Sequence, residues 1–152
     1  MKLKNPLLVV TDMEKSVEFY RNVLGLRVTM DFGANKTLTG GLVLQTEETW
    51  KGFIGSDAVS YGGNDAEVYF EEDAFDAFAQ RLQKLDIDYV HPVTEHSWGQ
   101  RVVRIYDPDQ HIIEVGENMK AVCRRFLESG MTPEQVAQRM DVPAKFVKAC
   151  MR

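Results

Sequence analysis

A carboxylate interrupts an apolar stretch late in the chain. Glu114 lies between Ile113 and Val115, and the alternation of side chains along a strand places it on the face opposite to theirs. Because an isolated carboxylate is costly to bury, two interpretations stay open. Glu114 reaches solvent on a polar face, or it points into a cavity that holds a partner, where it could act as a base.

The residues before Glu114 predict a hairpin. Asp107, Pro108, Asp109 and Gln110 suit a type I turn, because Asp bonds its own backbone and Pro presets φ. The turn joins two β-rich segments, 101–106 and 111–115. His111 is expected to bond the turn backbone.

A second polar face is predicted on an earlier strand. In the segment 64–71, Glu67, Tyr69 and Glu71 alternate with Ala66, Val68 and Phe70. The pattern places the apolar set against helices and turns Glu67 and Tyr69 towards a cleft. With Gln45 and Glu114, these two side chains would form a polar, acidic floor. Two neighbouring carboxylates can act as acid and base when their pKa values are pushed apart. The same floor could instead bind a cationic or polyhydroxy ligand. Arg101 is a further candidate for binding the ligand, and Arg101 or Arg104 could neutralise part of the floor.

Loop residues add candidates for ligand binding. His96 stands two residues before Trp98, where a titratable imidazole could orient or protonate a ligand. Trp50 sits in a polar stretch that is typical of a short helix or lid. Tryptophan offers flat apolar area and one hydrogen-bond donor, so Trp50 and Trp98 are expected to border a ligand.

The hairpin carries a family resemblance. Its pattern R-x-Y-D-P-D-x-H-x-I-E, residues 104–114, resembles the closing hairpin of the vicinal oxygen chelate superfamily. Members include glyoxalase I, extradiol dioxygenases, fosfomycin-resistance enzymes and bleomycin-binding proteins. Residues 7–26, ending in F-Y-x-x-x-L-G-L, resemble that superfamily's first strand and helix. The resemblance spans about 4–118 and implies an α+β fold, in which two βαβββ repeats form a curved mixed sheet around a cleft.

The metal ligands that the resemblance implies are incomplete here. In metal-dependent relatives the hairpin Glu is a ligand, which corresponds to Glu114. The first strand of each repeat commonly supplies another, but those positions hold Asn5 and Ala66. Gln45 is the candidate from the last strand of the first repeat. One carboxylate and two amides would hold Mg²⁺ or Ca²⁺ weakly and suit transition metals poorly. The family's ligand position would turn Ala66 and its face towards the cleft, against the polarity pattern of this strand. Glu67 could replace Ala66 only if the register shifted by one residue. The expected cofactor is therefore none, or a divalent metal of unknown identity.

An internal repeat organises the first 118 residues. Placing Asp12 over Asp73, an offset of 61, superposes strand and helix patterns and divides the chain into repeats of about 1–60 and 61–118. In the first repeat a helix is predicted over 13–24, with Asp12 as N-cap and Gly25 as its stop. In the second repeat, Asp73 is predicted to be the N-cap of the corresponding helix. The other predicted strands are 27–32, 37–41, 42–45 and 89–93.

The residues after 118 form a separate helical extension, 119–152. The patterns predict helices over 118–128 and 144–151, and Thr132 to Gln135 is a capping box followed by a helix. Residues 131–150 resemble a helix-turn-helix, and the extension has a net charge of +4, against −9 for residues 1–118. These two features raise DNA binding as a remote alternative.

Composition narrows the classes of partner. A net charge of −5 argues against nucleic acid and against an anionic membrane surface, and the apolar run 6–10 is too short for a membrane span. Two cysteines without C-x-x-C spacing favour a reduced, cytoplasmic protein. We expect a small-molecule-binding protein without a catalytic transition metal, forming a homodimer as small members of the superfamily do. The alternative is a lyase, isomerase or dioxygenase that uses Glu114.

Overall fold

Two four-stranded mixed sheets, each built from a βαβββ repeat, carry the fold. The computed structural model describes all residues 1–152. The first repeat comprises β1 (Leu7–Val10), α1 (Met13–Leu24), β2 (Val28–Asp31), β3 (Asn35–Leu38) and β4 (Val43–Thr46), followed by α2 (Glu47–Ile54). The second comprises β5 (Val68–Glu72), α3 (Phe75–Leu82), β6 (Tyr89–Glu95), β7 (Arg101–Tyr106) and β8 (Ile112–Glu117). The strand orders are β1-β4-β3-β2 and β5-β8-β7-β6, so the α+β prediction with two βαβββ repeats is confirmed.

The chain divides into two compact units. The first unit contains residues 1–66 together with the turn 106–111, and the second contains 67–105 and 112–152. No helix has the length and apolar character needed to cross a membrane.

In the first unit, α1 forms where the sequence predicts it. Asp12 accepts a hydrogen bond from the Lys15 amide at 3.0 Å, and Gly25 ends the helix in the left-handed conformation at φ 71°. The buried Tyr20 donates its hydroxyl to Asp107 at 2.7 Å. The Thr11 amide donates to Asp109 at 3.2 Å, so the hairpin turn completes this unit. The predicted strand 37–41 is wrong, since β3 ends at Leu38 and glycines 40 and 41 turn the chain with positive φ.

In the second unit, the step from strand to helix differs from the prediction. Helix α3 has Ala74 at its N-cap position, and no side chain caps it there, so the predicted capping by Asp73 is wrong. β1 and β5 begin 61 residues apart, at Leu7 and Val68, but they end 62 apart, and α1 and α3 also begin 62 apart, at Met13 and Phe75. Counted back from the helix, the counterpart of Asn5 is therefore Glu67 rather than Ala66.

The extension is a three-helix cluster: α4 (Met119–Glu128), α5 (Pro133–Met140) and α6 (Ala144–Cys150). Asn118 caps α4, and Thr132 and Gln135 form the predicted capping box of α5. The helices share a buried core that consists of Val122, Cys123, Val136, Met140, Val147 and Cys150. Both cysteines are free thiols.

Candidate functional site

The register of the second sheet decides which side chains share a face. Strands β5 and β8 run parallel with Tyr69 opposite Glu114, so these two residues lie on one face, and alternation adds Glu67. This register agrees with the polarity pattern, which grouped Glu67 with Tyr69, and not with the count that placed Ala66 on the face of Glu114. We call the surface formed by Glu67, Tyr69, Arg104 and Glu114 the open face.

A single guanidinium joins the two carboxylates of the open face. Arg104 donates from Nε to Glu67 at 2.7 Å and also forms an ion pair with Glu114. Its Nη1 lies 3.1 Å from Nε2 of His91, which accepts from the guanidinium. Glu114 is only 5% exposed, so its partner satisfies a carboxylate that would be costly to bury alone. We call Glu67, Arg104 and Glu114 the carboxylate cluster.

The two carboxylates titrate in opposite directions. Burial raises the pKa of Glu114, and the neighbouring charge of Glu67 adds to the rise against the opposing effect of Arg104. The hydrogen bond from Arg104 lowers the pKa of Glu67. As the pH falls, the pair therefore takes up its first proton at Glu114, while Glu67 stays ionised to a lower pH.

Two aromatic residues and an amide extend the site. Trp98 Nε1 donates to Gln100 at 3.1 Å, and Gln100 Nε2 donates to the Tyr69 hydroxyl at 2.9 Å. His96 stacks on Trp98 with ring centroids 4.1 Å apart. Burial lowers the pKa of His96, and the nearby charges of Arg104 and His91 lower it further, so the imidazole is neutral at pH 7. We call residues 96–99 the Trp98 loop.

Sequence reasoning did not single out Gln100, and it considered Arg104 only as a neutralising charge. The alternation of β7 carried the missing signal, because 100, 102 and 104 share one face of a strand. Arg101, predicted to bind ligand, lies on the other face. It pairs with Asp76 at 2.6 Å and with Glu117 at 3.0 Å. We therefore leave Arg101 out of the site.

The remaining candidates belong to the first unit. The Gln45 side chain is bonded at both ends, accepting from Asn35 at 2.7 Å and donating to Thr49 at 2.5 Å. Asn5 donates to the Gly41 carbonyl at 2.7 Å. Trp50 is half-buried on α2, the short helix that the sequence predicted.

The donor set does not fit a transition metal. No group of three or more His, Cys, Asp or Glu side chains is placed to hold a metal ion. In the carboxylate cluster, the guanidinium of Arg104 takes the position that a metal ion held by both carboxylates at once would need. The amides of Asn5 and Gln45 are already bonded to protein atoms.

A cavity of about 520 Å³ also lies beside α3 and β6. Leu82, Tyr89, Pro92 and Val103 are among its lining residues, which include no carboxylate, histidine or cysteine. This cavity therefore offers no acid, base or nucleophile.

Comparison with known proteins identifies the family. Residues 3–120 match the family model of the glyoxalase-like domain. The chain belongs to this family, and with it to the vicinal oxygen chelate superfamily. The chain is also similar to the uncharacterized protein YraH of Bacillus subtilis (strain 168), with 27% identity over 124 residues, which cover 76% of this chain and 97% of YraH.

Solved structures of similar fold include a protein of unknown function from Agrobacterium tumefaciens str. C58. It is 35% identical with a TM-score of 0.72, and the match covers 78% of this chain and 95% of that one. Another is a glyoxalase/bleomycin resistance protein/dioxygenase from Nocardioides, at 22% identity and a TM-score of 0.63, covering 77% and 83%. The second likeness is one of fold alone.

Proposed function

We propose that this glyoxalase-like protein binds a small organic molecule on the open face without a catalytic transition metal. The ligand directs cationic or hydroxyl groups to the carboxylate cluster and places an apolar ring against Tyr69 and Trp98. The observation that carries this proposal is the bonding of Arg104 to both Glu67 and Glu114. We further propose that the protein is a homodimer in the cytoplasm. The two free, buried cysteines suit that reducing compartment.

Charge and shape support this class of ligand. Glu67, Glu71 and Glu114 outnumber the one arginine among them, so the face retains negative charge when the cluster is ionised. Tyr69 is an exposed ring on that face, and Trp98 is half-buried with its indole N–H held by Gln100. Aromatic rings that are oriented in advance provide binding area at a low entropic cost.

Metal content tests the metal-free part of the proposal. Protein purified without chelator should contain well below one equivalent of transition metal, and Glu114→Gln should not change that content. Glu18→Gln, on the exposed side of α1, is the matched control. Stoichiometric metal that is lost only in Glu114→Gln would overturn this part and favour a metal-dependent lyase, isomerase or dioxygenase.

A series of three probes tests the ligand class. Benzamidine, benzamide and benzoate share one ring and differ in charge, and tryptophan fluorescence reports their binding. We expect benzamidine to bind about tenfold more tightly than benzoate, a difference of about 1.4 kcal/mol. Arg104→Gln should widen this gap by removing the one opposing charge. Tighter binding of benzoate, or no binding of any probe, would contradict the proposal.

An enzymatic role without metal is the second candidate, and one observation favours it. Glu114 has a raised pKa beside an ionised Glu67, which is the arrangement of a general acid and base. An enzyme of this kind would be a lyase or isomerase that moves a proton through Glu114. Turnover of a bound ligand that is lost in Glu114→Gln, with binding retained, would establish it.

A further inference from the structure

The helical extension lies against the loop that carries the aromatic part of the site. The family match ends at residue 120, and most of α4 and all of α5 and α6 follow it. Two arginines of the extension reach backbone carbonyls of the Trp98 loop. Arg125 on α4 donates to the Gly99 carbonyl at 2.7 Å, and Arg139 on α5 donates to the Ser97 carbonyl.

Each arginine is itself held in place by a carboxylate. Arg125 also pairs with the buried Glu117 at 3.0 Å, and Arg139 also pairs with Glu95 at 3.0 Å. A planar guanidinium that bonds two acceptors at once fixes direction as well as distance. The two carbonyls on either side of Trp98 are therefore held from outside the hairpin.

Phe126 of α4 closes the contact. Its ring lies so near Gly99 that a Cβ built at that glycine would be 2.3 Å from the ring. Both guanidinium groups lie against the same ring, at 4.9 Å for Arg125 and 5.4 Å for Arg139. Gly99 also has φ 86°, a conformation that suits glycine. A side chain at position 99 would therefore disturb both the turn and its packing against α4.

Within the loop, the turn leaves the indole and imidazole rings to pack on each other. The Gly99 amide donates to the His96 carbonyl at 2.8 Å, which makes Ser97 and Trp98 the central residues of a β-turn. Loops are generally the mobile parts of a fold. This loop is anchored by the two arginines and Phe126, all of which belong to the extension.

We infer that the C-terminal helical extension positions the Trp98 loop for ligand binding, with Arg125 and Arg139 as positioning residues that set the orientation of Trp98 over the open face. The extension is thus part of the binding site's support and influences which ligand is accepted. The same contacts commit two of the extension's cations to the protein itself, which makes them less available to a nucleic acid. The inference rests on the proposed function for its ligand, but its geometric part can be tested separately.

The test uses Trp98 as its own reporter. The chain has two tryptophans, so Trp50→Phe leaves Trp98 as the only one. In this background we compare Arg139→Gln with Arg124→Gln, an exposed neighbour on α4 that undergoes the same change of charge. Arg139→Gln should increase acrylamide quenching of Trp98 and weaken benzamidine binding about fivefold. Arg124→Gln should change neither, and the thermal midpoint of both variants should stay close to that of the parent.

The outcomes separate this inference from the proposed function. Unchanged quenching in Arg139→Gln would overturn the positioning role, whatever binds. Increased quenching together with a parent that binds none of the probes would support the positioning role and contradict the proposed function. If Arg139→Gln lowers the thermal midpoint substantially, Arg139→Lys provides the second comparison. It keeps the charge but lacks the fork that spans two acceptors, so it should still increase quenching, and unchanged quenching there would overturn the inference.

Discussion

Two buried glutamates on β8 show how a strand gives one residue type two roles. Glu114 and Glu117 lie on opposite faces and are 5% and 4% exposed. Burial dominates at Glu114 and raises its pKa. Burial acts in the same sense at Glu117, but bonds from Arg101 and Arg125 outweigh it and lower the pKa. On the open face, Glu114 therefore takes up a proton at a higher pH than an ordinary glutamate, while Glu117 on the other face is an anchor that stays ionised to a lower pH.

Replacing this anchor should reduce stability in a pH-dependent way. Glu117→Gln leaves two arginines without their shared carboxylate, and we expect a loss of about 2 kcal/mol at pH 7 in urea-induced unfolding. Because the pKa of Glu117 in the folded state lies below its ordinary 4.5, its stabilisation is complete above that pH and is lost as the pH falls through the lowered value. The difference between wild type and variant should therefore shrink in acid.

Glu128→Gln is the matched control for this prediction, since it also replaces one glutamate by glutamine, at an exposed position on α4. It should change stability by less than about 0.5 kcal/mol at either pH. A deficit in Glu117→Gln that stays constant down to pH 3 would show that the lost charge is not the cause.

At the scale of elements, local chemistry was sufficient to predict the ends of α1 and the start of α5. Asp12, Gly25 and the Thr132 capping box satisfy helix ends through neighbours in sequence, so the bounds of α1 were predicted correctly. The junction between β5 and α3 was not predicted correctly. Its N-cap residue is Ala74, which gives no capping signal, so counting from Asp73 chose Ala66 instead of Glu67.

The contacts between side chains of the site also could not be predicted from the sequence. The bond between Arg104 and Glu67 joins residues 37 apart, and that between Arg139 and Glu95 joins residues 44 apart. Alternation gives the face of a side chain, but it does not specify which strand or helix will lie beside it. The family resemblance supplied the two βαβββ repeats, and it did not extend to the helices after residue 120.

The capping box of α5 allows a direct test of an element. Thr132→Ala removes the hydroxyl that accepts from the Gln135 amide at 3.2 Å. We expect a loss of about 1 kcal/mol in the free energy of unfolding, measured by urea titration. Thr132→Ser keeps the acceptor and should retain most of the stability. Equal losses in the two variants would mean that the methyl group, not the cap, stabilises this helix end.

For the whole molecule, exposed apolar residues at one sheet edge bear on assembly. Strand β2 is an outer strand of the first sheet, and Met30 on it and Phe32 just after it are 52% and 69% exposed. Unpaired edges with apolar side chains readily associate, whereas lysine at an edge discourages pairing. These residues are consistent with the proposed homodimer.

Sedimentation equilibrium tests the dimer. The wild-type protein should sediment at twice its chain mass of 17.3 kDa, and Met30→Lys with Phe32→Lys should shift it to the monomer mass. Glu18→Lys on the exposed side of α1 adds a lysine elsewhere and should leave the dimer intact. A wild-type protein that sediments as a monomer at high concentration would contradict the assembly.

The discontinuous first unit has a consequence for synthesis on the ribosome. Tyr20 and Thr11 are translated early, yet their partners Asp107 and Asp109 follow 87 and 98 residues later. A nascent chain that ends near residue 66 therefore lacks the acceptor for a hydroxyl that the native unit buries, and leaving such a group unpaired is unfavourable. The first unit therefore cannot complete these hydrogen bonds until residues 106–111 have left the exit tunnel.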